Sequence, residues 1–372
     1  MTENRWAWAE IDLSAIRDNV ANLKALTKSG TLFMAVVKAD GYGHGAVEAA
    51  RASLGGGADR LGVATIGEGL QLREAGISAP IMLLSEPPEA AIPLLLEHDL
   101  TSTVTTREFA VSLGKSAIAR GLQARYHLKV DSGMNRIGVR AEEAAQFARA
   151  LSDFPGLELE GTFTHFATAD VPGDWEVERQ FERFRLALDE MRTEGVNPGI
   201  VHAANSPATV LYPETHLDMV RCGLSIYGLY PSPAALSRVK LTPARSVKAR
   251  VTLVKRIGMG ESVSYGFTWT AAAPTVVATL PLGYADGIHR VASNGITVLV
   301  GGKRCRQIGR VCMDQLMIEV PRGVDVSRGD EVVIVGEQGN DHVTLEELAE
   351  AAGTINYEMT CALGMRLERV YR

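Results

Sequence analysis

The chain has 372 residues, more than one hydrophobic core usually fills, so a barrel of about 250 residues joined to a smaller domain is the natural expectation. A hydrophobic share of 46% supplies a core and 22% charged residues supply a surface, which excludes a disordered chain. A net charge of −6 gives no basic field for nucleic acid or anionic lipid, so a small molecule is the expected partner, with room for a local basic pocket that takes a phosphate.

The N-terminus, Met1-Thr-Glu-Asn-Arg-Trp-Ala-Trp, lacks a basic segment followed by an apolar one, which leads us to expect a cytoplasmic protein. The apolar stretches Ile81 to Ser85 and Ile92 to Leu96 end long before they could span a bilayer, so no membrane association is expected. Cys222, Cys305, Cys312 and Cys361 lack C-x-x-C spacing and are read as reduced thiols, with no metal site.

From residue 10 to about 235, β-rich runs alternate with helical patterns. The expected strands are Leu32 to Lys38, Leu61 to Ala64, Ile81 to Leu84, Ser102 to Val104, Arg125 to Val130, Leu159 to His165, Val201 to Ala204 and Met219 to Gly223. Helices are expected over Asp12 to Leu23 and over Val177 to Arg192, where Phe181, Phe184 and Leu188 recur at helical spacing. Eight such units fit an α/β fold of the (β/α)8 TIM-type barrel, with a doubly wound open sheet as the alternative. After Pro231 the runs Val247 to Val254, Val276 to Leu280, Ile296 to Val300, Met317 to Val320 and Glu331 to Val335 read as strands of a mainly β domain, followed by a helix at Leu345 to Ala352. The expected division is an N-terminal segment 1–9 packing with the β domain, a barrel over 10–235 and the β domain over 236–372.

The string Ala35-Val-Val-Lys38-Ala-Asp-Gly-Tyr42-Gly-His-Gly45 puts a lysine at the end of a buried-looking strand, before a Gly-rich turn. At the catalytic end of a barrel a desolvated amine is pushed toward its neutral form, which can bond to an aldehyde cofactor; a solvated lysine after a strand is the plainer reading.

The whole string closely resembles the cofactor-attachment motif of alanine racemases. The resemblance continues through Val130-Asp-Ser-Gly-Met-Asn-Arg136-Ile-Gly, Thr164-His165-Phe-Ala-Thr-Ala-Asp170, His202-Ala-Ala-Asn205-Ser206, Met219-Val-Arg221-Cys-Gly223-Leu224, Val263-Ser-Tyr265-Gly, Gly283-Tyr284-Ala-Asp-Gly, Gly309-Arg310-Val-Cys-Met313-Asp314-Gln and Asn356-Tyr357-Glu358. It implies pyridoxal 5'-phosphate as cofactor, L- and D-alanine as substrates, a two-base mechanism, a homodimer with shared active sites, and D-alanine supplied for peptidoglycan.

Lys38 then carries the cofactor and acts as one base, and Tyr265 from the partner subunit is the other. Tyr42, Ser206, Tyr357 and the amides of Gly223 and Leu224 match the phosphate donors, Asn205 stands beside them, and His165 matches the residue packed on the pyridine ring. Arg221 matches the group facing the pyridine nitrogen; a guanidinium only donates, so that nitrogen stays unprotonated. Arg136, Met313 and Tyr284 match substrate-side residues, and Asp170, Arg290, Arg310 and Ile355 match the corridor to the site. His202 is expected to bond the tyrosine across the interface.

Lys129 lies two residues beyond His127 on the same strand face, where a charged amine is expensive. Some members of the family carbamylate the matching lysine, which leads us to expect a carbamate holding Arg136; pairing with a nearby acid is the alternative. Two departures stand out: Met359-Thr360-Cys361 lacks the proline common after this motif, and so does the ending Arg366-Leu-Glu-Arg369-Val-Tyr-Arg. A racemase of broader or serine specificity is the main competing expectation. A non-catalytic carrier of the same cofactor would lack the β domain, and a related decarboxylase would show a partner cysteine motif in place of the tyrosine.

Overall fold

The computed structural model describes residues 5–364 and 366–372. Two compact units result, one from residues 14–41 and 46–242, the other from the N-terminal segment up to Leu13, residues 42–45 and residues 243–372.

The first strand, β1 (Ala7–Ile11), belongs to the second unit. The first unit is built on β2 (Leu32–Val36), β3 (Arg60–Val63), β4 (Ile81–Leu83), β5 (Leu100–Val104), β6 (Ala124–Asp131), β7 (Leu157–Phe163), β8 (Ile200–His202) and β9 (Met219–Cys222). All are parallel, in the order β9-β2-β3-β4-β5-β6-β7-β8. Backbone bonds from Asp218 to Val201 (3.0 Å) and from Arg221 to Ala204 (2.9 Å) join β8 to β9 and complete the ring. A closed barrel is therefore present, and the open sheet is excluded.

The strands are near-continuous apolar runs because both faces are covered; in β4 and β5 every residue is buried. Helices between them start on ordinary caps: Thr65 forms a capping box with Glu68, Thr106 caps Arg107–Ala119, and Asn205 caps Ser206–Leu211. Helix Glu176–Thr193 buries Val177, Gln180, Phe184, Leu188 and Met191 at helical spacing. The β6–β7 register slips by one: Tyr126 faces Leu159 but His127 faces Gly161, so Glu160 is the extra residue of a β-bulge.

The second unit adds β10 (Arg245–Arg250), β11 (Leu253–Ile257), β12 (Thr275–Leu280), β13 (Thr297–Val300), β14 (Lys303–Ile308), β15 (Leu316–Val320), β16 (Glu331–Gln338) and β17 (Glu368–Tyr371). Their order is β11-β12-β15-β14-β13-β16-β10-β1-β17, with β1 antiparallel to β10 and parallel to β17. The run expected as one strand over Val247 to Val254 is two, broken at Val251 and Thr252. Helices Leu345–Ala351 and Asn356–Ala362 follow the sheet.

Candidate active site

Every barrel residue singled out from the sequence follows or ends a strand, at the C-terminal mouth where such barrels hold their chemistry, apart from Lys129 and Arg221 within strands β6 and β9. Lys38 comes two residues after β2, at the start of a turn with an uncommon backbone. Ala39, Asp40, Gly41 and Tyr42 have φ of 52°, 54°, 61° and 52°, a left-handed turn in which three members are not glycine. Each such residue costs roughly 1–2 kcal/mol, so the turn needs outside support. Within the barrel unit, Glu68 Oε1 accepts the Ala39 amide at 2.8 Å while its Oε2 accepts that of Ala64 at 2.7 Å, and Asp40 Oδ1 accepts the amide of Ala46 at 3.0 Å.

Arg221, buried in β9, is the hub of the mouth. It donates from Nη1 to His202 Nδ1 (3.0 Å) and from Nη2 to His165 Nδ1 (3.2 Å) and the carbonyls of Thr164 (2.8 Å) and Ala203 (3.0 Å). Burial pushes its pKa down to about 9, which still leaves it charged at neutral pH. Burial, with Arg221 next in weight, drives His165 and His202 well below the ordinary imidazole range, so both rings are neutral.

His202 stacks on Phe163 (4.8 Å between centroids) and has its Nε2 2.7 Å from His127 Nδ1, so both of its ring nitrogens are taken inside the barrel. The expectation that His202 bonds the tyrosine therefore has to be corrected. Among the described residues, His165 Nε2 is the nitrogen of this group left without a protein partner, on a half-buried ring.

Lys129 is 5% exposed and lies 4.9 Å from the Phe163 ring centroid. Burial first, then Arg221 and Arg136, lowers it to about 7. Among the described residues no carboxylate stands within ion-pair distance of it; nearby Asp131 spends its Oδ1 on the amides of Gly133 and Asn135, both at 3.0 Å. The pairing with an acid is thus not made. Arg221, Arg136 and, more weakly, Lys38 push the Lys129 amine toward its neutral form against the opposing pull of Asp131, so the mouth is a mainly cationic bowl.

Ser206 Oγ accepts the Gly223 amide at 2.9 Å, which draws the start of Ser206–Leu211 and the turn after β9 together. The Ser206 hydroxyl, which accepts from Gly223 and keeps its own proton to donate, and the adjoining amide of Leu224 form a donor set suited to phosphate, with the Gly223 amide held by Ser206 beside them. Asn205 is spent on its capping bond to the Ala208 amide (3.1 Å), so its side chain holds the helix start. Asp170 is exposed on the loop after β7, and Arg136 on the loop after β6.

In the second unit, Tyr42 and Tyr357 are half-buried, with burial and then Cys361 driving the Tyr42 phenol up. Tyr265 is 68% exposed, on a short turn after Ser264, whose hydroxyl donates to the Arg310 carbonyl at 2.7 Å. Gly309 has no room for a Cβ, which would meet the Val263 carbonyl at 2.5 Å. The amides of Tyr284 and Ala285 donate to the carbonyls of Cys312 (2.9 Å) and Met313 (3.1 Å), so these two loops are zipped together. Tyr284, Met313, Ile355 and Arg290 are exposed, and Arg310 is half-buried. Sequence reasoning passed over Glu160, Arg60 and Glu68. A bulge and a bidentate ion pair leave no local pattern, but the capping box Thr65-x-x-Glu68 was there to read.

Among the described residues no group of side chains could hold a metal ion, and no helix is long and apolar enough to cross a membrane. A closed barrel with a lysine and a cationic bowl at its mouth, followed by a β unit, defines an enzyme of the barrel-plus-β class. Residues 11–231 match the sequence model of the alanine racemase N-terminal domain and 244–371 that of its C-terminal domain, so the chain belongs to the alanine racemase family. It is 47% identical to an alanine racemase of Symbiobacterium thermophilum, over 99% of this chain and 97% of that one. The solved alanine racemase from E. faecalis superposes with a TM-score of 0.94 at 40% identity, over 100% of both chains. A histidine racemase from Leuconostoc mesenteroides superposes at 0.89 with 31% identity, over 100% of this chain and 99% of that one.

Proposed function

We propose that the protein interconverts L- and D-alanine with pyridoxal 5'-phosphate as cofactor, in a homodimer whose sites are shared. The observation that carries this reading is the mouth itself: a lysine on a strained, pinned turn and a buried arginine that only donates, which among the described residues has no carboxylate within ion-pair distance. The donor set fits the cofactor. Lys38 would hold its aldehyde carbon, Ser206, Gly223, Leu224, Tyr42 and Tyr357 its phosphate, His165 its ring face and Arg221 its pyridine nitrogen. Bound there, the cofactor supplies an electron sink that makes the Cα proton of an amino acid acidic.

Lys38 takes or returns that proton on one face, and Tyr265 of a second copy does so on the other. A phenol with pKa near 10 needs help to act as a base. His165 supplies it: Nδ1 accepts from Arg221, so the ring carries its proton on Nε2 and can only donate, which favours the tyrosine anion. Arg136 and Met313 hold the substrate carboxylate, and Tyr284 stands beside them. Asp170, Arg290, Arg310 and Ile355 line the corridor. Neutral Lys129 takes up CO2, releasing a proton, and the carbamate steadies Arg136. The same reading puts the enzyme in the cytoplasm, making D-alanine for peptidoglycan.

One observation supports a dimer. Tyr265, Phe267, Tyr284, Val291, Met313 and Ile355 are all exposed in the β unit, more apolar surface than a monomer usually leaves open. The purified protein, given L-alanine and a panel including serine, lysine and histidine, should lose optical rotation with alanine fastest and serine second. The histidine racemase likeness keeps a second specificity in view; histidine or lysine turning over faster than alanine would overturn the substrate assignment.

A further inference from the structure

We propose that Glu160, acting through His127 and His202, is a positioning residue that fixes where the protons lie behind Arg221 and holds that cation without neutralising it. The inference rests on the reading of Arg221 as the group facing the cofactor.

A column of polar groups runs through the barrel core from the start of β3. Arg60 donates to both oxygens of Glu160 (2.8 and 2.9 Å), Glu160 Oε2 lies 2.9 Å from His127 Nε2, His127 Nδ1 lies 2.7 Å from His202 Nε2, and His202 Nδ1 lies 3.0 Å from Arg221 Nη1. The backbone is shaped for it. The bulge turns Glu160 toward His127, and Gly161 leaves the ring its space, since a Cβ there would meet His127 at 2.6 Å. Buried charged and polar groups of this kind are costly, and an apolar core would do as well for stability alone.

The two ends decide the middle. A guanidinium can only donate and a carboxylate can only accept. His202 Nδ1 must therefore be bare, which puts its proton on Nε2; His127 Nδ1 must accept that proton, which puts its own on Nε2, facing Glu160. Any other arrangement, a doubly protonated His127 included, sets two N–H groups against each other in the core. Glu160 is the acceptor at which the column ends. It is kept ionised because hydrogen bonds from His127 and Arg60 outweigh the burial that would raise it. Among the described residues no carboxylate reaches Arg221 directly. The nearest negative end of the column is two imidazoles away, so Arg221 is gripped by a neutral acceptor and faces the mouth with its charge intact.

Neutron diffraction from deuterated crystals of the cofactor-loaded enzyme reads the protons directly. Deuterium is expected on Nε2 of both His127 and His202 and on neither Nδ1; deuterium on Nδ1 of either ring overturns the proposal, whether or not alanine is racemised. Glu160→Gln supplies the second measurement, because an amide facing both Arg60 and His127 must oppose one of them with an N–H. Its kcat should fall about tenfold with KM changed by less than about twofold, and the visible band of the bound cofactor should move. Glu160→Asp, which keeps the acceptor, should recover part of both. A folded Glu160→Gln with wild-type kcat and an unmoved band would sink the positioning role. If that variant fails to fold, the neutron result decides alone. Wild-type enzyme inactive on alanine would count against the function proposed above and leave the proton positions still measurable.

Discussion

The barrel mouth and the loops of the β unit solve the problem of placing reactive groups in opposite ways. In the barrel, Arg221 and His202 are buried and already bonded, and the turn after Lys38 is pinned by Glu68. In the β unit, the loop backbones are bonded to each other while Tyr265, Met313 and Ile355 point their side chains into solvent. The first arrangement is complete in one chain; the second makes sense when another surface covers it. Rigidity is built where the cofactor would sit, and exposure is left where a second copy would close the site.

The most severe break of this contrast is to separate the two contributions. Lys38→Ala and Tyr265→Phe should each cost at least about a thousandfold in kcat. Unfolded and refolded together, they form mixed dimers in about half the cases, each with one intact site, so activity should return to roughly a quarter of wild type. Neither variant refolded alone should recover. A mixture that binds cofactor and stays inactive would show that both residues serve one chain.

A smaller effect, confined to the barrel, comes from filling the space behind Arg221. Gly161→Ala would put a methyl group 2.5 Å from the Ile200 carbonyl and against the His127 ring, neither of which is the free end of a flexible side chain. Loss of about 2–3 kcal/mol is expected from the urea midpoint. A methyl at Gly301, where nothing lies within 4 Å but φ is 56°, should cost about 1 kcal/mol through the backbone alone.

The eight barrel strands were legible because a parallel sheet buried on both faces writes itself as apolar runs, and all eight begin and end within two residues of where they were expected. The β unit was legible in outline, but Val247 to Val254 read as continuous because Val251 and Thr252 are themselves β-formers. The left-handed turn at Ala39 and Asp40 could not be read, since nothing in those side chains favours positive φ as glycine does; tertiary bonds impose it. Lys129 was legible as a costly buried amine. The partner of His202 was not, because β6, β7 and β8 bring His127, Glu160 and His202 together only through a bulge, and a one-residue slip is invisible in an apolar run.

The smallest expected effect asks how far the preparation of the barrel mouth goes. Lys129 is held near 7, chiefly by burial and then by Arg221, against an ordinary value of 10.5 that it regains on unfolding. Between those two values the unfolded chain binds a proton that the folded chain refuses. Stability carried by the neutral amine is thus present above pH 10.5, declines as the pH falls through the window, and is fully lost below about 7. Lys129→Met titrates nothing, so in CO2-free buffer at pH 6 it should exceed wild type by on the order of 2 kcal/mol, a gap that closes toward pH 10.5. If CO2 converts the neutral amine to a carbamate, the titrating group disappears from the folded state and saturating bicarbonate should shrink the gap at neutral pH. A gap that ignores both pH and bicarbonate would mean that Lys129 keeps its proton in the folded barrel, and the bowl would then hold one more fixed cation.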